Sequence, residues 1–137
     1  MMTPAYQALL GYALWTLLLL VCIVSYRGVL VLFAGKAIDS FPADEEPTGP
    51  DWSRRLIRAH LNCVENLPVA AVVILVAANT GHMDQANLLA PWVLVARVTQ
   101  TSLHLLTVRP FVIWFRVTAL MAQVGLLAAL ALPILMG

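Results

Sequence analysis

Three sets of polar residues stand out in a sequence that is otherwise apolar: Arg55, Arg58, Asn62, Glu65 and Asn66; Arg97, Gln100, Thr101 and His104; and Arg109, Arg116 and Gln123. Guanidinium groups clamp carboxylates through paired N–H donors and stay protonated even when desolvated. Arg58, Arg97 and Arg116 set against Glu65 alone make a net positive pocket if the four meet. That chemistry suits an amphiphilic ligand bearing a carboxylate better than a cation or a sugar. Cys22 and Cys63 lie far apart inside apolar runs, with no C-x-x-C partner and no adjacent His ligand. They read as packing residues, with no metal site and no required disulfide.

The spacing of these sets is helical. At 100° per residue the five polar residues of the first set fall within an arc of about 100°. The second set shares one face in the same way, and the third repeats every seven residues, which also keeps one face. The same geometry turns His60 about 160° away from Arg58, so His60 reads as a packing or interface residue. His82 falls in a turn. The tryptophans Trp15, Trp52, Trp92 and Trp114 read as helix-end and packing residues. The sober alternative for every intramembrane polar group is a buried tie between helices. Intramembrane charges nonetheless lean towards function, because their cost must be offset.

The elements that carry the stripes are spans. The 137 residues are 61% hydrophobic and 11% charged, with a mean hydropathy of +0.87. A soluble domain of this size needs more polar surface. A helix crosses the hydrocarbon with about 20 mostly apolar residues, and four segments qualify: 6–38, 53–79, 85–106 and 110–136. The expected fold is an all-α membrane protein, a single domain over 1–137 forming a four-transmembrane-helix bundle among membrane lipids. The first break, 39–51, is rich in Pro and acids; 79–82 is a tight turn; Pro110 opens the last helix. Pro68 reads as a kink. The apolar run near the N-terminus is too long for a signal-peptide core and lacks a basic flank, so it reads as a retained helix.

Lys36, Arg54, Arg55 and Arg58 flank the first loop and Arg109 marks the third, while the second loop and both termini have no Lys or Arg. The positive-inside rule then puts loops one and three in the cytoplasm and both termini outside. In a bacterium this would be the inner membrane. The three stripes converge on one leaflet in that arrangement. A net charge of +1 supplies no basic patch for phosphates, so no nucleic-acid partner is expected.

The run Arg58-Ala59-His60-Leu61-Asn62-Cys63-Val64-Glu65-Asn66-Leu67-Pro68 resembles the helix 2 signature of the MAPEG family, the membrane-associated proteins in eicosanoid and glutathione metabolism. That signature reads approximately R-A-H-x-N-x-x-E-N-x-P. Ala96-Arg97, the Arg-Pro opening of helix 4, the four-helix layout and the length extend the likeness over the whole chain. The texture resembles the small bacterial members more than the leukotriene or prostaglandin synthases. The resemblance implies a homotrimer with glutathione bound between subunits near the cytoplasmic helix ends. It implies that Arg58, Asn62 and Glu65 contact glutathione, that Arg97 is the helix 3 arginine, and that Arg116 is the nearest match to the thiol-activating arginine of helix 4. Lys36 is the match to a basic residue at the end of helix 1. Gln100 and His104 stand where several catalytic members have tyrosines, and Leu61 where some have another arginine. Thr101 and His104 are also placed in the candidate glutathione-binding set, and stand next after Arg116 as candidates for the activating group.

Two functions within the family follow. One is a glutathione transferase or peroxidase acting on lipophilic electrophiles or lipid hydroperoxides, in which a guanidinium favours the thiolate of glutathione. The other is a non-catalytic protein that presents lipid to a partner, kept open because Tyr6, Tyr12 and Tyr26 all lie on helix 1. Outside the family, a small proton-coupled transporter would need a cycling carboxylate. Glu65 is the one acid inside the expected spans, and neighbouring arginines would hold it ionised.

Overall fold

The structure, a computed structural model, describes residues 1–41, 49–106 and 110–136. Within them the chain forms four α-helices: α1 (Pro4–Ala34), α2 (Asp51–Asn79), α3 (Met83–Leu106) and α4 (Pro110–Met136). A 3-10 turn, Ile38–Ser40, follows α1.

Local chemistry sets the ends. Pro4 occupies the first turn of α1, where its missing N–H costs nothing. The helix expected to continue to residue 38 stops at Ala34, because Gly35 takes φ +65° and turns the backbone left-handed. Helix α2 begins after Pro50, and Asp51 in its first turn faces the positive end of the helix dipole and pairs with Arg54. Gly81, at φ +86°, makes the turn from α2 into α3. An N-terminal amide of α1 would otherwise be orphaned, but Ala5 N–H donates to Asn87 Oδ1 of α3 at 3.1 Å. Replacing Asn87 by alanine should therefore cost about 0.5–1.5 kcal/mol, read as a lowered midpoint of thermal unfolding in detergent.

Helix α3 packs against all three others, whereas α1 and α4 scarcely meet. The interior is built of small residues: Ala5, Ala8, Ala59, Cys63, Ala70, Ala77, Ala86 and Ala90 are all buried. Lipid tails are as apolar as leucine, so close backbone packing, not apolar burial, holds such helices together. Gly11 shows how close the approach is, since a Cβ there would lie 2.8 Å from Leu94 Cδ2 of α3. The outer surface is correspondingly greasy, with Leu14, Leu17, Val21, Val69, Val72, Leu88, Val95, Met121 and Val124 exposed.

Helices α1, α2 and α4 are long and apolar enough to cross a membrane. Helix α3, expected as a fourth span of equal character, is long enough but falls short in hydropathy, because Arg97, Gln100 and His104 lie within it. Its neighbours supply the reason. A helix covered on three sides shows little perimeter to lipid and can carry polar residues inward.

Candidate functional site

Asn62 on α2, Arg97 on α3 and Arg116 on α4 sit at the same end of the bundle, and their helices enclose a cavity of about 260 Å³ there. It is lined by Arg58, Ala59, Asn62, Gln100, Thr101, His104 and Arg116. Three stripes that were separate in sequence thus meet in space. Among the described lining residues there is no carboxylate, and two of them, Arg58 and Arg116, carry guanidinium groups. Arg116 Nε and His104 Nε2 are buried with no hydrogen-bond partner. Buried polar atoms usually find one, so these two orphans at a cavity wall mark a place where a ligand or water would be bonded.

The remaining candidates are distributed differently. Arg97 does not line the cavity: it is 0% exposed and lies behind the cavity floor, with Nη1 donating to Asn62 Oδ1 at 2.5 Å and to Gln100 Oε1 at 2.7 Å. Its guanidinium carbon sits 5.5 Å from the Tyr12 ring centroid on α1, a cation–π contact. Glu65 is exposed on α2 and is not among the described residues that line the cavity. Lys36 is exposed beyond the end of α1 and is likewise not brought there. Arg109 lies outside the described residues.

The walls are braced from the sides. Thr101 Oγ1 accepts from Trp15 Nε1 at 2.8 Å and donates to the Arg97 carbonyl at 2.8 Å, so its hydroxyl is already committed. Arg55 Nε donates to the Leu105 carbonyl at 3.2 Å, which satisfies an orphan acceptor in the last turn of α3. His60 faces away from the cavity and bonds the Thr16 carbonyl of α1 through Nδ1 at 3.2 Å. Sequence reasoning missed Tyr12, although a signal exists: Tyr12, Thr16, Leu19 and Ile23, all buried, follow helical spacing on one side of α1. Gln123 of α4, 1% exposed, lies beside Tyr12. A second cavity, about 430 Å³, runs along the last turns of α1 beside Val24, Gly28 and Val31, and Arg27 is the one charged residue among its described lining.

The sequence matches the MAPEG family over residues 6–136 of its 137. The chain belongs to the MAPEG family. It is a membrane protein of that family, with three helices long and apolar enough to span the bilayer and a fourth packed among them. None of the curated proteins is similar enough to this MAPEG chain to count as a nearer relative. The signature residues of α2 are split by the fold: Arg58 and Asn62 face the cavity, while Glu65 faces outward.

Proposed function

We propose that this chain binds glutathione in the bilayer and acts as a transferase or peroxidase on lipophilic electrophiles or lipid hydroperoxides. The observation that carries this reading is the cavity between α2, α3 and α4, walled by Arg58 and Arg116, with no carboxylate among its described lining residues. Glutathione has two carboxylates for such donors, and the orphaned Arg116 Nε and His104 Nε2 fit it as unmet hydrogen-bonding groups. When bound, glutathione supplies the thiol whose ionised form is the nucleophile. The protein's part is electrostatic. Arg58 and Asn62 hold the peptide portion, and Arg116 places a fixed positive charge where negative charge collects. A lipophilic second substrate dissolved among the exposed leucines and valines needs no aqueous route to the site.

At about 260 Å³ the cavity is smaller than the roughly 300–1,000 Å³ of pockets that bury a drug-sized ligand. A tripeptide would therefore extend past its rim. This, with the outward-facing Glu65, supports a homotrimer in which a neighbouring copy completes the site. Titration calorimetry of detergent-solubilised protein with glutathione, with particle mass measured alongside, tests both points. Saturable binding by particles of three protomers is the expected result. No binding at millimolar glutathione would overturn the reading.

A non-catalytic, lipid-presenting role is the second reading. It is favoured by the absence of tyrosine among the described lining residues and by the committed hydroxyl of Thr101. Consumption of glutathione in the presence of a generic electrophile separates the two. We further propose that both termini and the turn at Gly81 face outward, from the basic-residue asymmetry. A membrane-impermeant thiol reagent should label Thr80→Cys in intact cells and spare Trp52→Cys; the opposite pattern would reverse the orientation.

A further inference from the structure

We propose that Arg97 is a positioning residue that makes the cavity floor present hydrogen-bond donors only, and so selects ligands that offer carboxylate oxygens there. The proposal rests on the reading above only in taking glutathione as its probe.

The argument begins with what a guanidinium lacks. It has five N–H donors and no acceptor, so any amide side chain bonded to it must turn its oxygen inward. Arg97 Nη1 bonds Asn62 Oδ1 on one side and Gln100 Oε1 on the other. The NH₂ group of each amide is on the far side of its carbonyl carbon. Both residues line the cavity, and neither NH₂ donates to a described residue. One cation thereby fixes two amides, from α2 and α3, with their donors left for the cavity.

An unrestrained Asn or Gln can rotate half a turn and serve a donor or an acceptor equally. These two cannot, because rotation would set an NH₂ against the guanidinium. Arg97 is itself fully buried with the Tyr12 ring against its guanidinium, and with Nε and Nη2 unpartnered its hydrogen bonds run through Nη1 to the two amides. Arg58 and Arg116 add donors on the walls, and Thr101 is committed to Trp15 and its own helix. A carboxylate oxygen at the floor would find partners. An ammonium or carboxamide N–H in its place would face like groups, and sites built for one hydrogen-bonding sense reject the other strongly.

The test is a ratio of affinities. Glutathione and its analogue with both carboxylates converted to primary amides are titrated calorimetrically into wild type, Arg97→Gln, Arg97→Lys and Gln100→Met. Wild type should prefer glutathione by roughly a hundredfold. Arg97→Gln, which has an acceptor of its own and lets both amides turn, should cut that preference by about tenfold. Arg97→Lys, again a donor without an acceptor, should restore most of it. Gln100→Met keeps the buried charge but deletes one floor donor, and should lower the preference as well. A fall in Arg97→Gln with no change in Gln100→Met would mean that the cation acts by charge alone, and would overturn the proposal.

A second readout needs no ligand. The side-chain amide resonances of Asn62 and Gln100 in ¹⁵N-labelled protein should be single and sharp in wild type and exchange-broadened in Arg97→Gln. Identical spectra would overturn the positioning role. Sharp wild-type resonances that broaden in Arg97→Gln, without glutathione binding by wild type, would support the positioning role and reject glutathione as the ligand.

Discussion

Replacing Arg116 by alanine should lower electrophile-dependent glutathione consumption on the order of tenfold to a hundredfold while weakening glutathione binding much less. Arg116 lies six residues into α4, counting from Pro110 to residue 116, and its Nε is buried at the cavity wall without a partner. A charge-assisted hydrogen bond from such a donor contributes about 1.5–3 kcal/mol, and each 1.36 kcal/mol is about tenfold in rate. Binding should suffer less because Arg58 and Asn62 also line the cavity and remain to hold the peptide portion.

The pH dependence sharpens the expectation. An unperturbed cysteine thiol ionises near pH 8.5, and a nearby fixed cation favours the thiolate at lower pH. Removing that cation should move the rate profile upward in pH, so the deficit is greatest near neutrality and shrinks as the medium itself ionises the thiol. A uniform loss at every pH would point instead to misplacement of the ligand. Equal rates in mutant and wild type would remove Arg116 as the activating group. His104 would then be the next candidate, since Nε2 is unpartnered, ahead of Thr101, whose hydroxyl is bonded on both sides.

How much of this was legible in the sequence depended on contrast. On α2 and α3 polar residues interrupt an apolar background at helical spacing, so Arg58, Asn62, Gln100, Thr101 and His104 could be assigned to facing stripes before any coordinates. Helix α1 offers no such contrast. Up to Val24 it is almost wholly apolar, and Tyr12 and Trp15, which brace Arg97 and Thr101, look like any other lipid-compatible aromatics until α3 is placed beside them. The early stop of α1 turned on a single backbone angle at Gly35, in a stretch where hydropathy alone favours continuation. Arg97 was legible as an inward-facing charge but not as one lying behind the cavity. Periodicity gives the direction of a side chain and says nothing of its depth relative to Asn62 and Gln100.

Glu65 is the case in which periodicity and structure differ most, and it yields the second large expectation. Its helical phase matches that of Arg58 and Asn62, yet it lies further along α2 than the cavity and faces outward. Helix α2 runs from Asp51 to Asn79, so Glu65 is at its midpoint, about 21 Å from the first residue at 1.5 Å per residue. A carboxylate facing hydrocarbon at that depth is costly unless something polar covers it. In the proposed trimer, the cover is a cationic or hydrogen-bonding group of a neighbouring copy. Glu65→Leu should then dissociate the trimer in detergent, because removing one partner of a buried pair leaves the other uncompensated at about 3–5 kcal/mol. That corresponds to roughly a hundredfold to several-thousandfold in an association constant. Val69→Leu, at an exposed apolar position one turn further along α2, serves as the control and should leave the mass unchanged. The opposite result is equally informative. If Glu65 faces lipid in the working protein, leucine removes a desolvated charge, and Glu65→Leu should raise the unfolding temperature with no change in mass. That outcome would sink the trimeric arrangement while leaving the cavity of Arg58, His104 and Arg116 intact within each chain.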